Sequence, residues 1–134
     1  MSRKYWMVKS EPSSYSWEDF EKKGMDVWDG VRNYQARNYL KDMSLNDQVL
    51  FYHSGKEKAV VGLAEVVAEA YPEPKAEEWF AVDLKAIKKL PSPVSLQAIK
   101  AEEKLTELPM LKQSRLSVLP LSKEEFELLM KMAQ

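Results

Sequence analysis

The sequence predicts an α+β domain: a mixed sheet, curved or closed into a small barrel, with short helices around it. Three observations carry this expectation. Apolar runs of strand length recur along the chain and are interleaved with short amphipathic segments. They do not follow the repeated strand–helix alternation of a doubly wound sheet. With 4 glycines in 134 residues, the chain has no phosphate-cradling glycine loop. The length suits one domain, residues 1–134, with one core.

The elements follow in order. Tyr5 to Ser10 (YWMVKS) is an apolar, aromatic strand ended by the turn-like EPSS. Ser16 caps a short helix through Lys23, with Asp19 at its third position and Gly24 as the stop. Val27 and Trp28 are extended before the Asp29-Gly30 turn. A second helix runs from about Asn33 to Asp42, with an apolar stripe of Ala36, Tyr39, Leu40 and Met43. Gln48 to Ser54 is a strand, and Gly55 begins a turn. Ala59 to Ala70 is a long strand in which Gly62 marks a bulge or a close backbone approach. Pro72 and Pro74 mark a loop. Trp79 to Ile87 alternates Phe80, Val82 and Leu84 with Ala81, Asp83 and Lys85, a strand that Pro91 and Pro93 are expected to break. Ser95 to about Lys104 is a helix, and Leu116 to Leu119 a short closing strand. Ser122 and Glu125 make a capping box for a last helix, whose stripe of Phe126, Leu129, Met130 and Ala133 faces the sheet.

Composition narrows the function. Without cysteine, disulfides, thiolate zinc sites and cysteine nucleophiles are excluded. Twenty basic against 21 acidic residues exclude a polyanion-coating protein, so nucleic-acid affinity would come mainly from a local pocket. The start, MSRKYWMVKSEP, lacks the apolar core of a signal peptide, and no apolar run is long enough to span a bilayer. A cytoplasmic, soluble monomer without a membrane partner is expected, with no cofactor and no metal.

The stretch Trp28 to Leu40, WDGVRNYQARNYL, concentrates two arginines, two asparagines, a glutamine, two tyrosines and a tryptophan. Flat faces and amide or guanidinium forks suit a planar, hydrogen-bonding ligand. A flipped or single-stranded base needs an apolar flat surface and polar groups at its edge. Trp28, just before a glycine turn, is the candidate surface; a core tryptophan pinned under the second helix is the alternative. Asn33 offers a donor and an acceptor together, a fork that reads adenine or cytosine edges, and it can also cap the helix through its oxygen alone. Arg32 suits a phosphate or a base edge, or else a surface pair with Asp29. Ser10 and Glu11 end the first strand; the Glu11 carboxylate either accepts from a base amino group or pairs with Arg32, Arg37 or Arg115. His53, the only histidine, is a poor metal signal alone. Adjacent strand residues point to opposite faces, which argues against direct activation of Ser54 by His53. The pair reads as strand-end groups at a pocket rim or as local turn hydrogen bonding.

Six blocks in order over essentially the whole chain resemble the EVE domain of the PUA-like superfamily: YWMVKSEP (Tyr5 to Pro12), VWDGVRNYQARNYL (Val27 to Leu40), DQVLFYHS (Asp47 to Ser54), VGLAEVV (Val61 to Val67), AYPEP (Ala70 to Pro74) and SRLSVLPL (Ser114 to Leu121). A weaker likeness to YTH domains lies in Lys9-Ser10, Val27-Trp28 and Gly62 to Val67. The segment PEPKAEEWF is shorter than the matching loop of many bacterial relatives. The resemblance implies a PUA-like mixed β pseudo-barrel with short flanking helices. It also implies a non-catalytic module that reads a modified base, a 5-modified cytosine in DNA or a modified nucleotide in RNA. The implied pocket adds Gly30, Val31, Tyr52, Arg115, Leu116 and Ser117 to Ser10, Glu11, Trp28, Arg32, Asn33, His53 and Ser54. Two other classes stay open: a small-molecule or nucleotide-binding module, and a hydrolase using His53, Ser10 or Glu11.

Overall fold

A computed structural model describes residues 3–134. Among them, six strands form one mixed sheet: β1 (Tyr5–Ser10), β2 (Met25–Trp28), β3 (Gln48–His53), β4 (Ala59–Glu73), β5 (Ala76–Ser95) and β6 (Val118–Leu121). Their order across the sheet is β2-β5-β4-β3-β1-β6. Around it lie α1 (Trp17–Lys23), α2 (Tyr34–Asp42), α3 (Leu96–Ala101), α4 (Pro109–Lys112), α5 (Lys123–Met132) and a 3-10 turn, Glu103–Leu105. The expected α+β class is present, with the sheet open at β2 and β6. No described helix is long and apolar enough to cross a membrane.

β1 and β3 are parallel, and every other neighbouring pair is antiparallel. A parallel pair needs a crossover, and here α1, β2 and α2 supply it. The start of that pair is fixed by Asp47, which is only 1% exposed. Its carboxylate accepts from the backbone N–H of Lys4 (2.9 Å) and Ser44 (2.9 Å) and from the Trp6 indole N–H (3.0 Å). A buried carboxylate is tolerable because three donors satisfy it.

The helices start where local chemistry says they should. Ser16 accepts from the Asp19 N–H while the Asp19 carboxylate accepts from the Ser16 N–H, and Gly24 stops α1 at φ 78°. Ser122 and Glu125 make the same reciprocal pair at α5. Asn33 caps α2 by accepting from the Ala36 N–H. The buried faces of α2 and α5 include Ala36, Leu40, Phe126 and Leu129. Tyr5 packs on Phe126 with ring centroids 4.5 Å apart and planes tilted by 30°, joining α5 to β1.

Two expectations about prolines are corrected. β5 does not break at Pro91 and Pro93 but runs to Ser95. The ladder to β4 jumps from Gly62↔Lys89 to Val60↔Val94, so both prolines fall between paired positions, where no ladder N–H is needed. Ser92 between them donates instead to the Ala133 carbonyl (2.8 Å). Likewise β4 continues past Pro72 to Glu73, and the turn is confined to Pro74 and Lys75. Five register shifts in the β4–β5 ladder bend these two long strands.

Gly62 sits at one of those shifts and also meets a close neighbour. A Cβ added there would lie 2.4 Å from two carbons of the Trp17 ring. Trp17 is fully buried and packs edge-to-face on Phe20 and Phe51. The two alternatives posed for this glycine, a bulge or a close approach, are therefore both realised. α4 has no counterpart among the expected elements; it is a single turn opened by Pro109.

Candidate functional site

One cleft among the described residues has a volume of about 500 Å³. It lies at the C-terminal end of β1, between that strand, β2 with its following loop, and the residue before β6. Lys9, Ser10 and Glu11 form one wall, Asp26 to Arg32 the other, and Tyr15 and Ser117 close the ends. The chain reaches this place by direct pairing. The Lys9 N–H donates to the Ser117 carbonyl (2.9 Å), and the Ser54 N–H to the Ser10 carbonyl (2.9 Å).

Trp28 is half-buried and lines the cleft. Its ring meets Phe51 at 5.5 Å and 80°, Phe20 at 6.2 Å and 66°, and Tyr15 at 6.3 Å and 64°. Edge-to-face contacts of this kind fix a ring's orientation as well as burying it. The two readings of Trp28, ligand surface and core residue, are thus combined in one side chain. Val27, 44% exposed, and Val31 add apolar surface beside it.

The polar groups fall around this aromatic floor. The Tyr15 hydroxyl donates to the Asp26 carboxylate at 2.5 Å, and Asp26 also accepts from the Val27 N–H (2.8 Å) and pairs with Lys23 (3.2 Å). Burial alone would raise the Asp26 carboxyl, but the hydrogen bonds from Tyr15, Val27 and Lys23 together hold it below its ordinary range. Burial and then the Asp26 acceptor push the Tyr15 phenol upward. Burial lowers the Lys9 ammonium, which donates to the Ser114 carbonyl (2.9 Å) and lies 5.7 Å from the Tyr52 ring centre. The Ser10 hydroxyl donates to the Tyr15 carbonyl at 2.5 Å.

The loop after Trp28 is held from the far end of β4. Arg32 donates through both terminal nitrogens to Glu73, at 2.9 and 2.8 Å, and the Gly30 N–H donates to the same carboxylate at 3.0 Å. Gly30 has φ 75°, a left-handed turn conformation that glycine adopts freely. The hydrogen bonds from Arg32 lead in holding the Glu73 carboxyl below its usual range. The expected alternative for Arg32, a pair with Asp29, is corrected: its partner is Glu73, 41 residues away. Arg32 Nη1 also donates to the Val31 carbonyl (3.1 Å), which leaves the Nε–H and one Nη2 hydrogen for another acceptor. Glu11 takes none of the expected arginine partners; it accepts from the Ser13 N–H (3.1 Å) and covers Gly55.

Of the thirteen residues singled out from the sequence, Ser10, Glu11, Trp28, Gly30, Val31, Arg32 and Ser117 meet at this cleft. Asn33, Arg115 and Leu116 line a separate depression of about 300 Å³ with Gln35, Gln113 and Ser114. Tyr52, His53 and Ser54 are not in the cleft wall. His53 is 4% exposed, in the interior and not at a rim. Its Nε2 accepts from the Trp17 N–H (2.9 Å), which requires the proton on Nδ1, 2.7 Å from Glu57. Nε2 is therefore occupied in seating α1, and Nδ1 in the contact with the turn after β3. Lys9, Tyr15, Asp26, Val27 and Asp29 were not singled out. Lys9 and Val27 carried a weak signal in the YTH-like blocks; the Tyr15–Asp26 pair carried none, because α1 is what brings its two members together.

A mixed sheet bearing a cleft with an aromatic floor and a charged rim has the make-up that small-ligand sites share. The chain belongs to the EVE domain family, whose model matches residues 4–132. It is 34% identical to mouse thymocyte nuclear protein 1, in an alignment covering 97% of this chain and 74% of that protein. The alignment spans 166 positions against a chain of 134, so that relative carries extra residues within it. Among solved structures, the chain is similar to Rpa0253 from Rhodopseudomonas palustris, with 44% identity, a TM-score of 0.93, and coverage of 97% of this chain and 92% of that one. It is also similar to human THYN1 protein, solved in complex with 5-methylcytosine containing DNA, with 29% identity, a TM-score of 0.91 and 98% of both chains covered.

Proposed function

We propose that this protein is a non-catalytic nucleic-acid-binding module that takes a single modified base into the cleft beside Trp28. The supporting observation is the placement of Trp28: a half-exposed aromatic face, oriented by three edge-to-face neighbours, in a cleft of about 500 Å³. That volume falls within the roughly 300–1,000 Å³ of small-ligand pockets. The human relative bound to 5-methylcytosine containing DNA favours a 5-modified cytosine in DNA over a modified RNA nucleotide. Asp26 would accept from the exocyclic amino group of such a base, and Tyr15 and Lys23 keep it charged for that task. Balanced charge implies few phosphate contacts, and hence a shallow salt dependence of affinity.

The test is intrinsic fluorescence titrated with short oligonucleotides carrying cytosine, 5-methylcytosine, 5-hydroxymethylcytosine, adenine or N6-methyladenine at one site. Trp28→Phe attributes the signal, since Trp6, Trp17 and Trp79 also emit. Trp28→Ala should weaken binding by roughly 5- to 150-fold, the equivalent of the ~1–3 kcal/mol of one stacked base. Modification-dependent quenching altered in Trp28→Phe supports the reading. Equal affinity for a free nucleoside and an oligonucleotide would replace it with a metabolite-binding module.

A further inference from the structure

Beside the cleft, the first turn of α2 carries a large aromatic ring that the core does not use. Tyr34 is 58% exposed. It stacks on Trp79 of β5, with centroids 4.9 Å apart and planes at 23°. Arg37 lies 4.9 Å from the Tyr34 ring and 5.9 Å from the Trp79 ring, so it flanks the pair on one side. A guanidinium over the outer face of Tyr34 would be far from Trp79, so that face is not the one Arg37 covers. Arg37 also donates to the Glu78 carbonyl (3.0 Å), tying the helix to β5 beneath the stack. Arg32, which lines the cleft, lies 5.3 Å from the Trp79 ring. A continuous path thus runs from the cleft wall through Arg32 and Trp79 to the open face of Tyr34.

We propose that Tyr34, backed by Trp79 and flanked by Arg37, is a stacking platform for an unpaired base neighbouring the one held in the cleft; this rests on the base-binding reading of that cleft. Three observations join here. An ordered ring with a free face is what a nucleobase stacks on, and every base has such a face. Two contacts of 5.3 and 4.9 Å join Arg32 to Tyr34, which keeps the platform within about three base steps of the cleft wall at the ~3.4 Å per step of a stacked strand. Arg37, and Lys41 set 4.9 Å over the Phe80 ring, give the same face its positive charge. Glu73, paired with Arg32 at 2.9 and 2.8 Å, offsets the charge of that guanidinium, which moderates its attraction for phosphate. The platform would therefore select single-stranded or locally opened nucleic acid, and add affinity without reading the modification.

The experiment compares Tyr34→Ala and Tyr34→Phe with the unaltered protein. The probes are a short single-stranded DNA with a central 5-methylcytosine, its unmethylated counterpart, and free 5-methyl-2′-deoxycytidine. Tyr34→Ala should weaken binding of both oligonucleotides by roughly 5- to 150-fold, the range of one stacked base. It should leave nucleoside affinity and the methylated-to-unmethylated ratio unchanged, and Tyr34→Phe should restore oligonucleotide binding. If Tyr34→Ala binds the oligonucleotides normally while Trp28→Ala does not, the platform is wrong and the cleft reading survives. Equal loss on nucleoside and oligonucleotide would also overturn it, because Tyr34 would then be supporting the cleft. If the unaltered protein binds no probe, the cleft reading fails and takes the platform with it.

Discussion

Gly62→Ala adds one methyl group at a place where the structure leaves none to spare. The new Cβ would lie 2.4 Å from Trp17 Cε3 and Cζ3 and 2.6 Å from Cδ2, against the ~3.5–4.0 Å of an ordinary carbon contact. Something must move by about 1 Å or more. Trp17 is poorly placed to move: it is fully buried, its ring is pinned edge-on by Phe20 and Phe51, and its backbone N–H is bound to His53. Overpacking of this kind costs roughly 1–3 kcal/mol and occasionally more; the rigid setting places this case at about 3 kcal/mol. For a chain of this size that is a fall in Tm on the order of 10 °C. Urea denaturation should show a lower midpoint with an unchanged m-value, since the loss is in packing and not in the surface exposed on unfolding. Trp17→Phe removes the outer ring that the methyl would strike. The double variant should therefore lose less than the sum of the two single variants. An unchanged midpoint for Gly62→Ala, or strict additivity with Trp17→Phe, would refute the steric argument.

Two further outcomes follow from the polar contacts. Glu73 has its carboxyl lowered on folding by the Arg32 hydrogen bonds. Its contribution is thus fully present above the unfolded pKa of roughly 4.3 and is lost as pH falls through the folded value. Glu73→Gln should accordingly be less stable than the unaltered protein at neutral pH, with the gap closing in acid; a gap independent of pH would show that the charge is idle. His53→Ala orphans the buried N–H of Trp17 and should cost about 1–3 kcal/mol of stability while oligonucleotide affinity is retained; lost binding at unchanged stability would put His53 in the functional site after all.

What the sequence disclosed and what it hid divide along contact range. Ser16 with Asp19, Ser122 with Glu125, and Asn33 with Ala36 are neighbours within one helical turn, so their spacing alone locates three helix starts. Gly62 was legible because a lone glycine in a long strand needs a reason. Pro91 and Pro93 were misleading because their effect depends on the register of β4, which no local pattern reveals. The Arg32–Glu73 pair and the Tyr15–Asp26 pair close over 41 and 11 residues. His53 looked like a site residue by type and by its place at a strand end. Only the packing of α1 on one nitrogen and the fold of the β3–β4 turn at the other show that both are already engaged.

The cleft wall from Asp26 to Arg32 is anchored differently at its two ends. Trp28 rests on Phe20 and Phe51, the same rings that hold Trp17 against Gly62, so its orientation is set by the folding of the domain and needs no ligand. A preformed surface binds without first losing side-chain freedom, which favours affinity from a small contact area. The loop that continues this wall from Asp29 to Arg32 reaches the core through one small side chain, Val31, which is 7% exposed. Its described side-chain hydrogen bonds to the rest of the fold converge on a single carboxylate, Glu73, reached through Gly30 and Arg32. Arg32 in turn lies between the cleft and the Trp79–Tyr34 stack. A displacement of this loop would alter the cleft wall and the neighbouring aromatic face together, while the Trp28 floor stayed in place. Glu73 is therefore the residue through which the tip of the β4–β5 hairpin can influence a ligand it does not touch.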